Sequence, residues 1–327
     1  MGDPAGIGPE IILKTLCDPE IVRRADLCVI GHEDTFFEYS KRLGISPIFM
    51  ERRPPSEWTW RKVPFLVSLG EGGPRTFKPG EATAEGGKIS FECVVRAAEL
   101  ARAGHLDAIV TGPINKTSWK LAGLEFIGHT DFLSRLTGKK ATMMMVGGRL
   151  RVSLVTVHVP LREAIDALTV PAIEETVAAT NEALIRLFGI ERPRIAVAGV
   201  NPHSGEDGLF GLEEERIIEP AVRAAAARGI CVEGPIVPDV VFRLGAAGRY
   251  DAVVAMYHDQ GLIPVKVIAF EEAVNITAGI PIVRTSPAHG TAFDIAGKGM
   301  ARPEGFASAI RMAASIAHRP EGKEGTT

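Results

Sequence analysis

Short apolar runs separated by segments of helical period recur along the chain, and this alternation limits the fold more than any other feature. The runs are ADLCVIG (25–31), VPFLVSL (63–69), LDAIVTG (106–112), TMMMVGG (142–148), RVSLVTV (151–157), RIAVAGV (194–200), YDAVVAM (250–256) and PVKVIAF (264–270). Each has the length and near-continuous apolar character of a strand buried on both faces of a sheet. Between several of them stand helix-period segments closed by a glycine: 83–103 before Gly104, 171–188 before Gly189 and 213–228 before Gly229. Glycine suits the position just past a helix because it takes left-handed backbone without steric cost. Pro171 suits a first helical turn, where its missing N–H is not needed. This alternation predicts an α/β fold with a doubly wound, mostly parallel sheet. Residues 142–157 are the exception: two runs meet at Gly147 and Gly148 as a hairpin, so the sheet is expected to be mixed. The segments 51–62 and 70–82, rich in Gly, Pro and charge, read as surface loops, with Trp58 and Trp60 covering a loop edge in preference to forming a binding surface. The polar HRPEGKEGTT at the C-terminus reads as a fraying tail.

At 327 residues and 46% hydrophobic content, the chain suits two domains or one large one. A net charge of −3 gives no electrostatic reason to expect nucleic acid or an anionic membrane as partner. Cys17, Cys28, Cys93 and Cys231 are scattered without a C-x-x-C, which predicts buried free thiols in a reducing cytoplasm. No apolar stretch approaches the roughly 20 residues that a spanning helix needs. MGDPAGIGPE lacks the pattern of a signal peptide. The expected setting is therefore soluble and cytoplasmic.

Three of the runs deliver a histidine just past their ends: RVSLVTVH at His158, RIAVAGVNPH at His203 and DAVVAMYH at His258. Open α/β sheets bind ligands outside the carboxyl ends of their strands. A lone strand-end histidine is more often a polar residue bonded to its own loop. Three imidazoles at one rim, with a coordination position left open, make a catalytic metal arrangement. NPHSGE and YHDQG add acceptors and tight turns beside the rings. Imidazole donors favour zinc, cobalt or another transition metal over an all-oxygen magnesium site.

Two glycine-rich segments complete the motif set. GDPAGIGPE (2–10) leads into an apolar helix, a geometry that favours an anion or polarised oxygen. PAHGTAFDIAGKGMARP (287–303) resembles the adenine- and ribose-binding loop of the isocitrate and isopropylmalate dehydrogenases. GDPAGIGPE resembles, with an insertion, the GDGIGPE turn at the start of those enzymes. Their D-x-x-x-D metal helix has no counterpart in the expected region. TGPINK (111–116), GHTDFL (128–133), TVHVPL (156–161), NPHSGE (201–206), MYHDQGL (256–262), the spaced Lys266, Asn275 and Arg284, and HGTAFDIAGKG (289–299) follow one family in order. On these motifs the chain is identified as a member of the 4-hydroxythreonine-4-phosphate dehydrogenase family over nearly its whole length. Family members carry a short apolar strand before the GDPAGIGPE turn, whereas Met1 already stands in it; the expectation is that the numbering starts at an internal methionine.

The resemblance implies two α/β domains with an interdomain cleft, isopropylmalate dehydrogenase-like. Residues 1–112 plus 281–327 form the cofactor side, and 113–280 the metal, substrate and dimerisation side. It implies a homodimer with the active site at the subunit interface, the metal set being completed by a histidine of the neighbouring subunit. It implies NAD, with NADP left open, and one divalent metal per subunit (Zn, Co or Mg) on His158, His203 and His258. Substrate contacts carry over to His129, Thr130, Lys266, Asn275 and Arg284, and cofactor contacts to His289, Gly290, Thr291 and Ala292. Asp239 and Asp259 fall on acidic catalytic positions, Asp259 as an orienting carboxylate or proton acceptor beside His258. Lys266 and Arg284 suit a phosphate or carboxylate, Arg through two parallel hydrogen bonds; Lys266 reads equally well as a solvated strand-edge lysine. The implied reaction is oxidation of the C3 hydroxyl of 4-phosphooxy-L-threonine to a β-keto acid that loses CO2, a step of pyridoxal phosphate biosynthesis. Paralogues acting on 4-phospho-threonate or 4-phospho-erythronate, or on a cis-dihydrodiol dicarboxylate, share the same histidines. A non-catalytic nucleotide- or phosphosugar-binding module is disfavoured by the joint presence of metal histidines and cofactor loop.

Overall fold

The computed structural model describes residues 1–46, 63–69 and 78–318. The expected loop at 51–62 with Trp58 and Trp60, the greater part of that at 70–82, and the tail past 318 lie outside the described residues. The chain forms two compact units, one of Met1–Leu136 with Ile282–Ala317 and one built on Thr137–Pro281. It leaves the first unit later than the expected residue 112. The reason is α5 (Lys116–Leu121), which packs on α4 (Ala84–Arg102). The Trp119 indole, wholly buried, donates to Ser90 Oγ at 2.9 Å and meets the Phe91 ring edge-on at 5.5 Å.

In the first unit, elements are numbered in chain order. Helix α1 (Gly8–Leu16) has Pro9 in its first turn and buries Ile11, Ile12, Leu13 and Leu16. It is followed by α2 (Pro19–Arg24), β1 (Cys28–Gly31), α3 (Glu33–Leu43) and β2 (Phe65–Ser68). Thr83 caps α4, accepting from the Gly86 N–H at 3.0 Å; Asn115 caps α5 in the same way through Ser118 N–H. Next come β3 (Ile109–Val110) and α6 (His129–Thr137), and after the second unit β10 (Arg284–Pro287) and α12 (Glu304–Ala317). The pairs β1–β2 and β3–β10 are both parallel. An apolar cavity of about 140 Å³ is lined by β1 and β3 together with Ile12, Phe306 and Ile310. Beside it the Met1 ammonium donates to Ile30 O at 2.9 Å.

The second unit holds a mixed sheet in the order β9-β4-β5-β8-β6-β7. Its strands are β4 (Thr142–Gly147), β5 (Leu150–Leu154), β6 (Ile195–Ala198), β7 (Val232–Ile236), β8 (Ala252–Ala255) and β9 (Val274–Ala278). The β4–β5 hairpin is antiparallel and turns at Gly148, φ 56°; β4–β9 is also antiparallel, and the other pairs are parallel. The sheet carries α8 (Val170–Phe188), α9 (Glu219–Ala227), α10 (Pro238–Ala246) and α11 (His258–Ala269), and the short α7 (Leu161–Asp166) precedes α8. Gly189 closes α8 in left-handed backbone, and a π-helical turn, Glu214–Ile218, leads into α9.

One expected strand is corrected: PVKVIAF at 264–270 is the C-terminal part of α11, not a strand. A short apolar run has no period by which to tell the two apart, and the helix that begins at His258 simply runs on through Pro264. Lys266 is consequently a helical residue. Burial of the thiols is also corrected in part, since Cys93 is buried and Cys28 half-buried but Cys17 and Cys231 are exposed. Among the described residues no helix is long and apolar enough to cross a membrane.

Candidate active site

In the second unit, β5, β8 and β6 are neighbours, so the loops leaving their carboxyl ends emerge side by side. His158 follows β5, and His258 is the first residue of α11 immediately after β8. Their rings lie 5.6 Å apart, tilted by 44°. The Nδ1 of His258 meets Asp259 Oδ1 at 2.6 Å, which leaves Nε2 as the nitrogen available to a ligand. His203 follows β6 in the turn Pro202–Gly205 and lies beside Phe210, ring centroids 6.1 Å apart. The turn is strained: His203, Ser204, Glu206 and Asp207 all have positive φ. Buried Glu214 holds it, accepting from the N–H of Val200 and of Asn201 at 2.7 Å each and from Asn201 Nδ2 at 2.8 Å. Among the described residues no group of three His, Cys, Asp or Glu side chains is gathered closely enough to hold a metal ion. One chain thus pairs His158 with His258 and leaves His203 outside the pair. Asp239 is exposed in the first turn of α10, a helix that touches the His203 turn.

The donor chemistry fits a divalent ion. Two imidazole rings lie 5.6 Å apart, near enough for one ion to bridge, and one of them is bonded to a carboxylate, the usual support of a metal histidine.

Arg284 opens β10 and is 3% exposed. Its Nε and Nη2 both donate to Thr111 Oγ1, at 3.0 and 2.6 Å, and Nη2 donates to His129 Nδ1 at 3.2 Å. Burial brings the guanidinium down to about 10, so it stays charged at neutral pH. Burial, with the Arg284 charge adding to it, holds the His129 imidazole well below its usual range, so the ring is neutral. A neutral ring that accepts at Nδ1 carries its proton on Nε2, making His129 a second donor beside the cation. Thr130 follows it, half-buried in the first turn of α6. This cluster can seat an anion such as a phosphate or carboxylate.

Asn275 stands on β9, opposite Met145. Its side-chain oxygen is buried without a hydrogen-bond partner among the described residues, which suits a ligand donor. Lys266 is half-buried in the last turn of α11. Arg284 and His129 are brought together in the first unit, whereas Asn275 and Lys266 belong to the second.

The expected cofactor loop runs from β10 to α12 and is stitched to the GDPAGIGPE turn. Thr291 O accepts from Ile7 N–H at 3.0 Å. Lys14 Nζ reaches Gly299 O, Ala301 O and Glu10, and Glu10 also accepts from Ala301 N–H. His289 and Gly290 are exposed, and a Cβ on Gly290 would meet nothing within 4 Å. Ala292 has φ 41°. An open glycine backbone on a braced loop fits a dinucleotide, since it leaves room for close approach.

A set of strand-end imidazoles on an α/β frame, with a buried cationic seat and a braced glycine loop, belongs to the class of dehydrogenases that act on anionic hydroxy compounds. The model of one such family, described as pyridoxal phosphate biosynthetic protein PdxA, matches residues 25–313, and the chain belongs to that family. It is 45% identical over 318 residues to the 4-hydroxythreonine-4-phosphate dehydrogenase of Desulfosudis oleivorans, covering 96% of this chain and 93% of the relative. It is 44% identical to the D-threonate 4-phosphate dehydrogenase of Salmonella typhimurium, covering 97% of each. Among solved structures, the 4-hydroxythreonine-4-phosphate dehydrogenase of Klebsiella pneumoniae matches with a TM-score of 0.88 at 43% identity, over 98% of this chain and 97% of that one.

Proposed function

We propose that this protein oxidises the C3 hydroxyl of a 4-phosphorylated hydroxy acid, 4-phosphooxy-L-threonine, with NAD as hydride acceptor. The observation that carries the reading is the buried, charged Arg284 beside the neutral donor His129, a seat built for an anion. The C3 hydrogen leaves as hydride to the nicotinamide, and the hydroxyl proton is lost. The resulting β-keto acid releases CO2. A divalent zinc, cobalt or magnesium ion, when bound, lowers the pKa of the hydroxyl and favours the carbonyl that replaces it. His158 and His258 would hold it from one chain, with Asp259 orienting His258 and accepting the proton in turn. Asn275, Lys266 and Thr130 add polar contacts to substrate, Asp239 stands by as a second carboxylate, and His289, Gly290, Thr291 and Ala292 contact the dinucleotide.

His203 completes the set from the neighbouring subunit of a homodimer. His203 is assigned to that role because the rings of His158 and His258 adjoin within one chain. Ile263, Val267 and Phe270 form an exposed apolar stripe on α11, the kind of surface a dimer covers.

D-threonate 4-phosphate is a second reading, favoured by the near-equal identity to the Salmonella typhimurium relative. The test is NADH formation with each phosphorylated substrate in turn. The reading expects one of the two to be turned over at least tenfold better, by kcat/KM, than any unphosphorylated counterpart. Equal turnover without the phosphate overturns it.

A further inference from the structure

We propose that Gln260 is a positioning residue that ties together the three histidine-bearing strand ends of one chain, and so sets how that chain presents His158 and His258 to one metal site and His203 to the neighbouring one. Its side-chain oxygen accepts from Met256 N–H at 2.7 Å, and its side-chain nitrogen donates to Gly199 O at 2.7 Å. Met256 ends the run that leads to His258, and Gly199 is the first residue past β6 on the way to His203. The same Met256 offers its carbonyl to the Thr156 hydroxyl at 2.9 Å and to the Thr156 N–H at 3.2 Å, and Thr156 begins the approach to His158. One line of hydrogen bonds, Thr156–Met256–Gln260–Gly199, therefore crosses all three strand ends just before each imidazole. Glu214 grips the far side of the His203 turn at Val200 and Asn201, so that turn is held from both flanks.

Past their last ladder bonds, parallel strands keep few backbone bonds to fix where the departing loops go; here Thr156 N–H to Met256 O and Gly199 N–H to Ile236 O are among them. A side-chain amide can accept from one strand end and donate to the next at the same time, and Gln260 does both. Gln260 touches no imidazole in this arrangement; it acts through the backbone. Metal affinity is sensitive to such support, and losing it commonly costs 10–100-fold.

The proposal rests on the three-histidine metal reading above, and its test separates the two. Zinc affinity of the metal-stripped full-length protein is measured by competition with a chromogenic chelator, alongside the thermal midpoint. The variants are Gln260→Leu, which loses both bonds, Gln260→Glu, which keeps the acceptor and loses the donor, Thr156→Val and Thr156→Ser. The expected result is tight binding by the wild type, a loss of at least about tenfold in Gln260→Leu and Thr156→Val, a smaller one in Gln260→Glu, and recovery in Thr156→Ser. All four are expected to keep a cooperative melt. Tight wild-type binding with affinities in Gln260→Leu and Thr156→Val within twofold of it overturns the positioning role alone. No zinc binding by the wild type overturns the metal reading and this proposal with it. Should Gln260→Leu fail to fold, the Thr156 pair decides by the same criterion.

Discussion

Burying a guanidinium is costly unless its protons find acceptors, and Arg284 meets that cost with Thr111 Oγ1 and the Nδ1 of His129. The planar fork matters as much as the charge. Arg284→Lys keeps the charge and loses the fork, so kcat/KM for the phosphorylated substrate should fall at least tenfold, about 1.4 kcal/mol, in steady-state assays with saturating NAD. The same cluster sets a pH dependence. The His129 imidazole is held below its ordinary 6.5 in the folded protein, first by burial and then by Arg284. The unfolded chain therefore binds an extra proton as pH falls through that value, and folding loses stability below it. Thermal melts from pH 7 to pH 5 should show a smaller drop in His129→Gln than in the wild type; an equal drop would remove His129 from the balance. Family resemblance named Arg284 and His129 as substrate contacts, and the structure brings the two side chains together. Thr111 was not singled out, because its role depends on a partner 173 positions away. Gln260 sits inside the quoted MYHDQGL, yet nothing in that string says which two strand ends its amide joins.

At the scale of elements, α11 carries His258 and its seat on the sheet is tight. A Cβ at Gly261 would lie 2.6 Å from Leu154 Cδ2 and 2.8 Å from Val152 Cγ1, so only glycine lets the helix lie this close to β5. Gly261→Val should cost about 1–3 kcal/mol of stability by overpacking and push His258 away from His158. A lower denaturation midpoint together with weaker zinc binding is the expected pair of results; an unchanged midpoint would mean that the helix shifts freely. The elements were legible in the sequence where the apolar signal was long. The βα units and the β4–β5 hairpin followed from run length and glycine placement. Strands β7, β9 and β10 did not. β10 reads Arg-Thr-Ser-Pro yet is buried throughout, its polar groups satisfied by distant partners such as Ala309 O for the Thr285 hydroxyl. β7 sits at the sheet edge with Gly234 and Pro235 in it, residues that argue against a strand anywhere but an edge.

At the scale of the whole molecule, the account needs two copies of the chain. Val267 is 81% exposed and Phe270 75%, one helical turn apart on α11, and charges there should break the assembly. Val267→Lys combined with Phe270→Glu should yield a monomer by light scattering that retains its secondary structure and has lost turnover. Mixing His158→Ala with His203→Ala subunits should restore activity, since one site of the heterodimer then draws all three imidazoles from unmutated copies. Heterodimers that form and stay inactive would place the three ligands on one chain. The two-part course of the chain came from family resemblance; composition alone does not reveal it. The true crossing point depended on the burial of Trp119 against α4, which no local pattern announces. The proposed reaction is a metal-assisted, NAD-linked oxidation of a phosphorylated hydroxy acid. It is tested most directly by comparing kcat/KM for 4-phosphooxy-L-threonine, D-threonate 4-phosphate, their dephosphorylated forms and a cis-dihydrodiol dicarboxylate, before and after chelation. NADH should form from a phosphorylated substrate alone, and its formation should be abolished by the chelator and restored by a divalent metal. A higher kcat/KM for an unphosphorylated substrate, or full turnover by the metal-stripped protein, would contradict it.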